Sequence, residues 1–319
     1  MSRSALRAIA FCAALGGGIL MMDQWFGTPV DTGELILLAI VMTADLVIVG
    51  WEKSSIGRLL QPGNRSTGTD LFYGALIYSG VFSLFVTGFS FGMDHLINAA
   101  TQALQWRRPQ IDLPVLIAVP LMFVVNSLAG YGAHRLLHTR WLWPLHAVHH
   151  APREMTLLNA ERVHPLEVIV RLVFAPLPGL LLGLDPLSAV VLWKFTAVLV
   201  YWQHSNVPNP FPWIERWLIA GPINHRIHHA RNKHLHDRNL SNCPLIDRLF
   251  GTYAWTDEAV ELGIEDRQLG NGNPVLEMIA IQWRWFMSLL PRGGSSGPSA
   301  ALAKPSSAAD AFSISRQTP

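Results

Sequence analysis

Residues 113–138, LPVLIAVPLMFVVNSLAGYGAHRLLH, join an apolar segment to a pair of histidines without an intervening turn signal. The apolar part, Leu113 to Gly130, is long enough to cross a bilayer, which takes roughly 17 to 25 mainly apolar residues. The NSLAGYGAHRLLH part can continue the same helix past the lipid boundary. His134 and His138 are four apart and share a helix face. Further histidines follow at His146, His149 and His150 in HAVHH, and the HxxHH form recurs at His225, His228 and His229 in HRIHH. Adjacent histidines on a helix project in different directions, so His149 and His150 can reach two metals or two faces of one site. The expectation is a protein-bound metal centre at a membrane surface.

The whole chain agrees with that setting. Half of its 319 residues are hydrophobic, only 14% are charged, and twelve are tryptophan. Such values favour a membrane protein over a soluble domain. A formal net charge of +2 with no continuous basic stripe gives no reason to expect nucleic acid. Cys12 and Cys243 lie far apart without CxxC spacing and read as unrelated free thiols.

Other apolar segments run from Ala8 to Met22, Leu35 to Val49, Leu71 to Phe91, Leu166 to Leu184 and Leu187 to Tyr201. The last pair, divided by Gly183, Asp185 and Pro186 and interrupted by Arg171 and Lys194, is either two crossings or a re-entrant hairpin. Arg3, Arg7, Lys53, Arg58, Arg65, Arg135, Arg140, Arg153 and Arg162 place the amino terminus, the 50–69 loop and both histidine clusters on the cytoplasmic side. Arg107 and Arg108 fall on the opposite side and count against that orientation. The basic, apolar amino terminus lacks a clear small-x-small cleavage site and reads as a retained membrane helix. From Pro291 onward the Gly-, Ser-, Ala- and Pro-rich tail has no apolar period and reads as disordered. The expected fold class is an all-α integral membrane protein, a transmembrane helical bundle with a cytoplasmic histidine-rich metal-binding cap. Its expected divisions are 1–69, 70–255, 256–290 and 291–319.

Neutral imidazoles suit iron, copper, nickel and zinc alike. A catalytic zinc needs only about three protein ligands, and the concentration of histidines here exceeds that. Two irons fit the count better and supply the redox chemistry that activates oxygen. HRLLH lacks the glutamate of HExxH, and no GxGxxG or Walker A sequence is present. His204, in WQHSN after the last apolar segment, stands at the same membrane edge as a further candidate ligand. His164, His234 and His236 read mainly as structural or supporting groups, and His95 is isolated. Trp141, Trp143, Trp202 and Trp213 can anchor the cap at the interface, and Pro212 to Ala220, PWIERWLIA, can lie along the membrane.

HRLLH, HAVHH, NAERVHPLE, WQHSN, HRIHHARN, HDRN and DRLFGTY occur in that order over roughly residues 70–255. The ordered set resembles the fatty acid hydroxylase superfamily, which includes sterol desaturases and an alkylglycerol monooxygenase-like branch. The resemblance implies that His134, His138, His146, His149, His150, His204, His225, His228 and His229 bind two non-heme iron ions. It implies dioxygen as co-substrate, a membrane lipid as substrate, and electrons ultimately from NAD(P)H. No flavin- or nicotinamide-binding domain is evident, so a separate ferredoxin or cytochrome is the expected donor. Arg162, His164 and Glu167 match the RxHPLE stretch and His236, Asp237 and Asn239 lie in the HDRN stretch, all as groups supporting the ligands. Leu240 and Ser241 depart from the aromatic-glycine ending that follows this asparagine in the family, which leaves the subgroup open. Hydroxylation of an aliphatic C–H bond is the first reading, and desaturation by the same centre the second. A membrane metal-binding or transport protein is the alternative of another class, although transport would place ionisable ligands along a route through the bilayer.

Overall fold

A computed structural model describes residues 32–290, apart from positions 65, 108, 110–112, 176, 184–185, 267–268 and 270–272. The expected segment from Ala8 to Met22, with Arg3, Arg7 and Cys12, lies outside the described residues. So do Arg65, Arg108, Asp185 and the tail from Pro291. Among the described residues the fold is all-α, with one isolated β-bridge between Ala230 and Leu262.

The described part opens with α1 (Thr32–Val49), α2 (Ser55–Leu59), α3 (Thr67–Tyr78) and α4 (Val81–Ala103). A single span over Leu71 to Phe91 is therefore corrected to two helices. The division falls at Ser79–Gly80, where Gly80 takes φ +77°, a left-handed conformation that glycine adopts without steric cost. Next come α5 (Val115–Leu137), α6 (Trp143–His150), a 3₁₀ turn (Leu157–Glu161), α7 (Pro165–Phe174), α8 (Leu177–Leu182) and α9 (Pro186–Gln203). The remainder holds α10 (Pro212–Trp217), α11 (Pro222–His228), α12 (Pro244–Leu249) and α13 (Pro274–Leu289). Proline opens α7 and α9 through α13. It fits there because its fixed φ suits a first helical turn whose N–H groups have no intrahelical partner.

Among the described residues two helical stretches are long and apolar enough to cross a membrane, Val115–Leu137 and Pro165–Leu182. The first is α5, and its most apolar window is only 28% buried within the chain. A core helix of a soluble protein would be covered on most faces. Instead Ile117, Leu121, Val124 and Leu128 form an exposed apolar stripe at helical spacing. These stretches associate the chain with a membrane.

Helix α5 packs against α7 and α9. At Gly132 a Cβ would meet the Phe174 ring at 2.8 Å, so the α5–α7 approach depends on that glycine. Helix α13, in the 256–290 division, packs on α6 through Ile281 against a core containing Leu145, Ala147 and Val148. It braces the helix that carries three of the histidines.

Candidate metal centre

Helix α5 delivers His134 in its last turn and His138 at its C-cap. Helix α6 delivers His146, His149 and His150, and α11 delivers His225 and His228 with His229 at its C-cap. His204 immediately follows α9. All nine converge in two groups: His134, His138, His146, His150 and His228 form one, and His149, His204, His225 and His229 the other. Within each group one nitrogen per residue lies within 4.8 Å of all the others.

The two HxxHH sequences cross between the groups. His146 and His150, one turn apart on α6, enter the five-histidine group, whereas His149 enters the four-histidine group. On α11 the assignment reverses, with His225 and the C-cap His229 in the four-histidine group and His228 in the other. The groups share a wall, since the rings of His150 and His229 stack with centroids 4.3 Å apart.

The nitrogen spacing fits metal coordination. His134 Nε2 and His150 Nε2 lie 3.1 and 3.2 Å from His146 Nε2. His204 Nε2 and His229 Nε2 each lie 3.0 Å from His225 Nε2. For metal–imidazole bonds of about 2.1 Å, neighbouring ligands are about 3.0 Å apart at a right angle and about 3.4 Å at the tetrahedral angle. The protonation pattern points the same way. His134 Nδ1 donates to the Leu240 carbonyl at 2.8 Å, and His146 Nδ1 meets the Glu167 carboxylate at 3.1 Å. In neutral imidazoles both Nε2 atoms then carry lone pairs facing each other, an arrangement a shared cation relieves. His228 Nε2, His149 Nδ1 and His229 Nδ1 are likewise buried without a hydrogen-bond partner.

Burial also keeps these rings in the form a metal needs. It depresses His204 to about 4 and His228 to about 3. His149, His150, His225 and His229 are held well below the ordinary imidazole value by burial first and by their histidine neighbours second. Such imidazoles are neutral at pH 7 and free to offer a lone pair.

Outer partners orient the ligand nitrogens. The short segment 237–240 serves three histidines of the five-histidine group. Asp237 Oδ1 meets His138 Nδ1 at 3.0 Å, the Arg238 carbonyl accepts from His228 Nδ1 at 2.8 Å, and Leu240 serves His134. Asp237 and Asn239 take left-handed backbone conformations with φ +60° and +53°. Asp and Asn tolerate this region better than other non-glycine residues. Asp247, quoted within DRLFGTY but given no role by the sequence, accepts from the Leu240 and Ser241 amides at 2.8 and 3.0 Å and holds the segment in place. The other missed residue is Trp143, whose ring packs 5.1 to 5.2 Å from those of His150 and His138.

The expected supporting groups divide. Glu167 is fully buried and links His146 to Arg171, whose Nε lies 2.9 Å from Oε1. Replacing Glu167 by glutamine retains an acceptor for His146 but removes the carboxylate charge that holds its Nδ1 proton. Iron affinity is expected to fall about 10- to 100-fold, measured by chelator competition. Arg162 contacts Asp70 and no histidine. His164 accepts from the Leu166 amide at the start of α7, and burial lowers it to about 4. Asn239 braces Asn224 and Ala254. His236 is exposed and contacts the Arg231 carbonyl, and neither it, His234 nor His95 joins either group.

The nine converging histidines, with Asp237 and Asp247, all fall within one window that known proteins share. Residues 119–252 match the fatty acid hydroxylase family. Human alkylglycerol monooxygenase is 30% identical over 137 residues, 42% of this chain and 30% of that protein. An ornithine lipid hydroxylase of Rhizobium tropici is 31% identical over 144 residues, 44% of this chain and 43% of its own length. A very-long-chain aldehyde decarbonylase of Oryza sativa subsp. indica is 32% identical over 154 residues, 46% and 57% of the two chains. The chain thus covers about a third to just over half of these relatives' lengths. No solved structure matches it. The fatty acid hydroxylase match and the two histidine groups support a diiron-type oxidoreductase site. The relatives' names span more than one reaction, so the histidine framework alone does not select the chemistry.

Proposed function

We propose that this chain hydroxylates an aliphatic C–H bond of a membrane lipid, using dioxygen and two irons held by the nine histidines. The observation that carries this reading is the pair of adjoining histidine groups, whose crossed HxxHH contributions bring two candidate metal positions against one wall. His134, His138, His146, His150 and His228 hold one iron, and His149, His204, His225 and His229 the other. When bound, the irons supply the redox chemistry that activates oxygen towards a C–H bond.

The chain's own residues prepare that site. Asp237, Glu167 and the carbonyls of Arg238 and Leu240 keep the Nδ1 protons on the outside and aim the Nε2 lone pairs inward. The Val200 carbonyl does the same for His204 at 2.8 Å. Burial keeps His149, His150, His204, His225, His228 and His229 neutral. The site stands at the end of α5, so a lipid's chain can remain beside the helix while its reactive carbon reaches the histidines. A separate ferredoxin or cytochrome, supplied ultimately by NAD(P)H, would deliver the electrons that this chemistry needs. The chain crosses the membrane several times, with residues 70–255 as the catalytic unit and the histidine cap facing the cytoplasm, as the arginine and lysine distribution favours.

The test is metal content together with Mössbauer spectroscopy on detergent-purified, iron-57-enriched protein. Two exchange-coupled irons per chain are expected, followed by oxygen-dependent lipid products on reduction. Stable zinc, or no specific metal after reconstitution, would overturn the oxygen chemistry.

A further inference from the structure

Helices α10 and α12 pack side by side and present large apolar groups outward. Trp213 is 59% exposed, Trp217 48%, Leu249 77% and Phe250 50%. Isolated exposed apolar residues are ordinary, but contiguous groups of this kind mark an interaction surface. We infer that α10 and α12 are immersed in the headgroup–acyl boundary of the same membrane that α5 enters, and form an in-plane skirt beside the histidine core.

Continuity with α5 identifies lipid as the occupant. The exposed stripe of α5, through Leu121, Val124 and Leu128, leads at helical spacing to the edge occupied by Tyr131. Phe250 stacks on Tyr131 with centroids 4.8 Å apart and planes 15° from parallel. The same segment reaches further along the helix, since Leu240, Cys243 and Ile246 share a core cluster with Met122 and Phe123. Leu240, Cys243 and Ile246 thus anchor α12 on the buried side of α5, while Phe250 at its end adjoins the exposed stripe through Tyr131. The last turn of α12 lies beside Tyr131, about 4.5 Å of helical rise below His134.

The polar groups of the skirt suit a membrane boundary. The Arg248 guanidinium lies 3.8 Å from the centroid of the Trp217 ring and 3.7 Å from that of Tyr253. Arg216 lies 4.5 Å from the centroid of the Trp255 ring and pairs with Asp257. Arginine and tryptophan at the edge of an apolar face can place charge at the phosphate level while the rings and leucines sit below it. The skirt would seat the histidine core against the lipid surface independently of which metal it holds or which reaction it performs.

The full chain carrying L249C, in a background with Cys12→Ser and Cys243→Ala, is reconstituted into phosphatidylcholine–phosphatidylglycerol nanodiscs and labelled with a nitroxide. Collision rates with dissolved oxygen and a water-soluble nickel chelate are compared with those of L121C on α5 and K233C in an exposed 3₁₀ turn. The L249C label is expected to match L121C, with oxygen access high and nickel access at least fivefold below that of K233C. Nickel access equal to K233C overturns the proposal. Low access to both reagents also overturns it: strong dipolar coupling between labels then identifies a second chain as the occupant, and its absence identifies burial within this chain. Circular dichroism of each labelled chain keeps a misfolded variant from being scored, and a preparation without iron still reports on immersion.

Discussion

A chain in which His204 and His225 are both replaced by alanine is expected to hold one iron instead of two and to lose lipid oxidation. His225 is central to the four-histidine group, with Nε2 3.0 Å from both His204 and His229. Removing it with His204 leaves His149 and His229, fewer than the about three protein ligands that a retained catalytic metal ordinarily needs. The five-histidine group keeps every member and its partners Asp237, Glu167, Arg238 and Leu240. The expected Mössbauer spectrum therefore loses the exchange-coupled signal while one uncoupled iron remains. Oxygen-dependent product falls to background because the two-metal site no longer exists. Retention of both irons would show that the second metal position lies elsewhere. Loss of both would show that the shared wall at His150 and His229 makes the groups one cooperative site.

The features legible in the sequence are those carried by periodicity. Spacings of three and four on a helix give shared or neighbouring faces, so HxxxH and HxxHH announce clustered imidazoles before any fold is known. The all-α character follows from the same apolar segments. Asp237 and Glu167 were recognisable as supporting groups because their motifs resemble a known family. Backbone acceptors were not. The carbonyls of Val200, Arg238 and Leu240 orient three ligands, yet any residue type has a carbonyl and leaves no mark in composition. The division at Gly80 was hidden because an apolar run continues on both sides and a single glycine is compatible with a continuous helix. Trp143 read as an interface anchor, since its packing against imidazoles depends on how α5 and α6 meet.

Replacing Arg162 by alanine is expected to destabilise the protein by about 3–5 kcal/mol while leaving the iron content per folded chain unchanged. Arg162 is fully buried, and its Nε lies 2.6 Å from the equally buried Asp70 carboxylate. Its Nη2 donates to the Ser66 carbonyl at 3.0 Å and to the Ser66 hydroxyl. Asn159 also donates to Asp70 at 2.9 Å, so the ion pair ties α3 to the 3₁₀ turn that precedes α7. Truncation leaves Asp70 as an uncompensated charge in a buried site, and that loss dominates the cost. Removing both charges with Arg162→Met and Asp70→Leu should restore much of the stability, because two apolar groups leave no ion to desolvate. The distinction from Glu167 is chemical. Glu167 touches His146, and its replacement lowers metal affinity in a folded chain, whereas Arg162 acts on the segment that sets where α7 begins. Thermal unfolding in detergent, with iron measured on the folded fraction alone, separates the two. A loss of iron from folded Arg162→Ala protein would make the arginine part of the metal site, and unchanged stability would remove the strap.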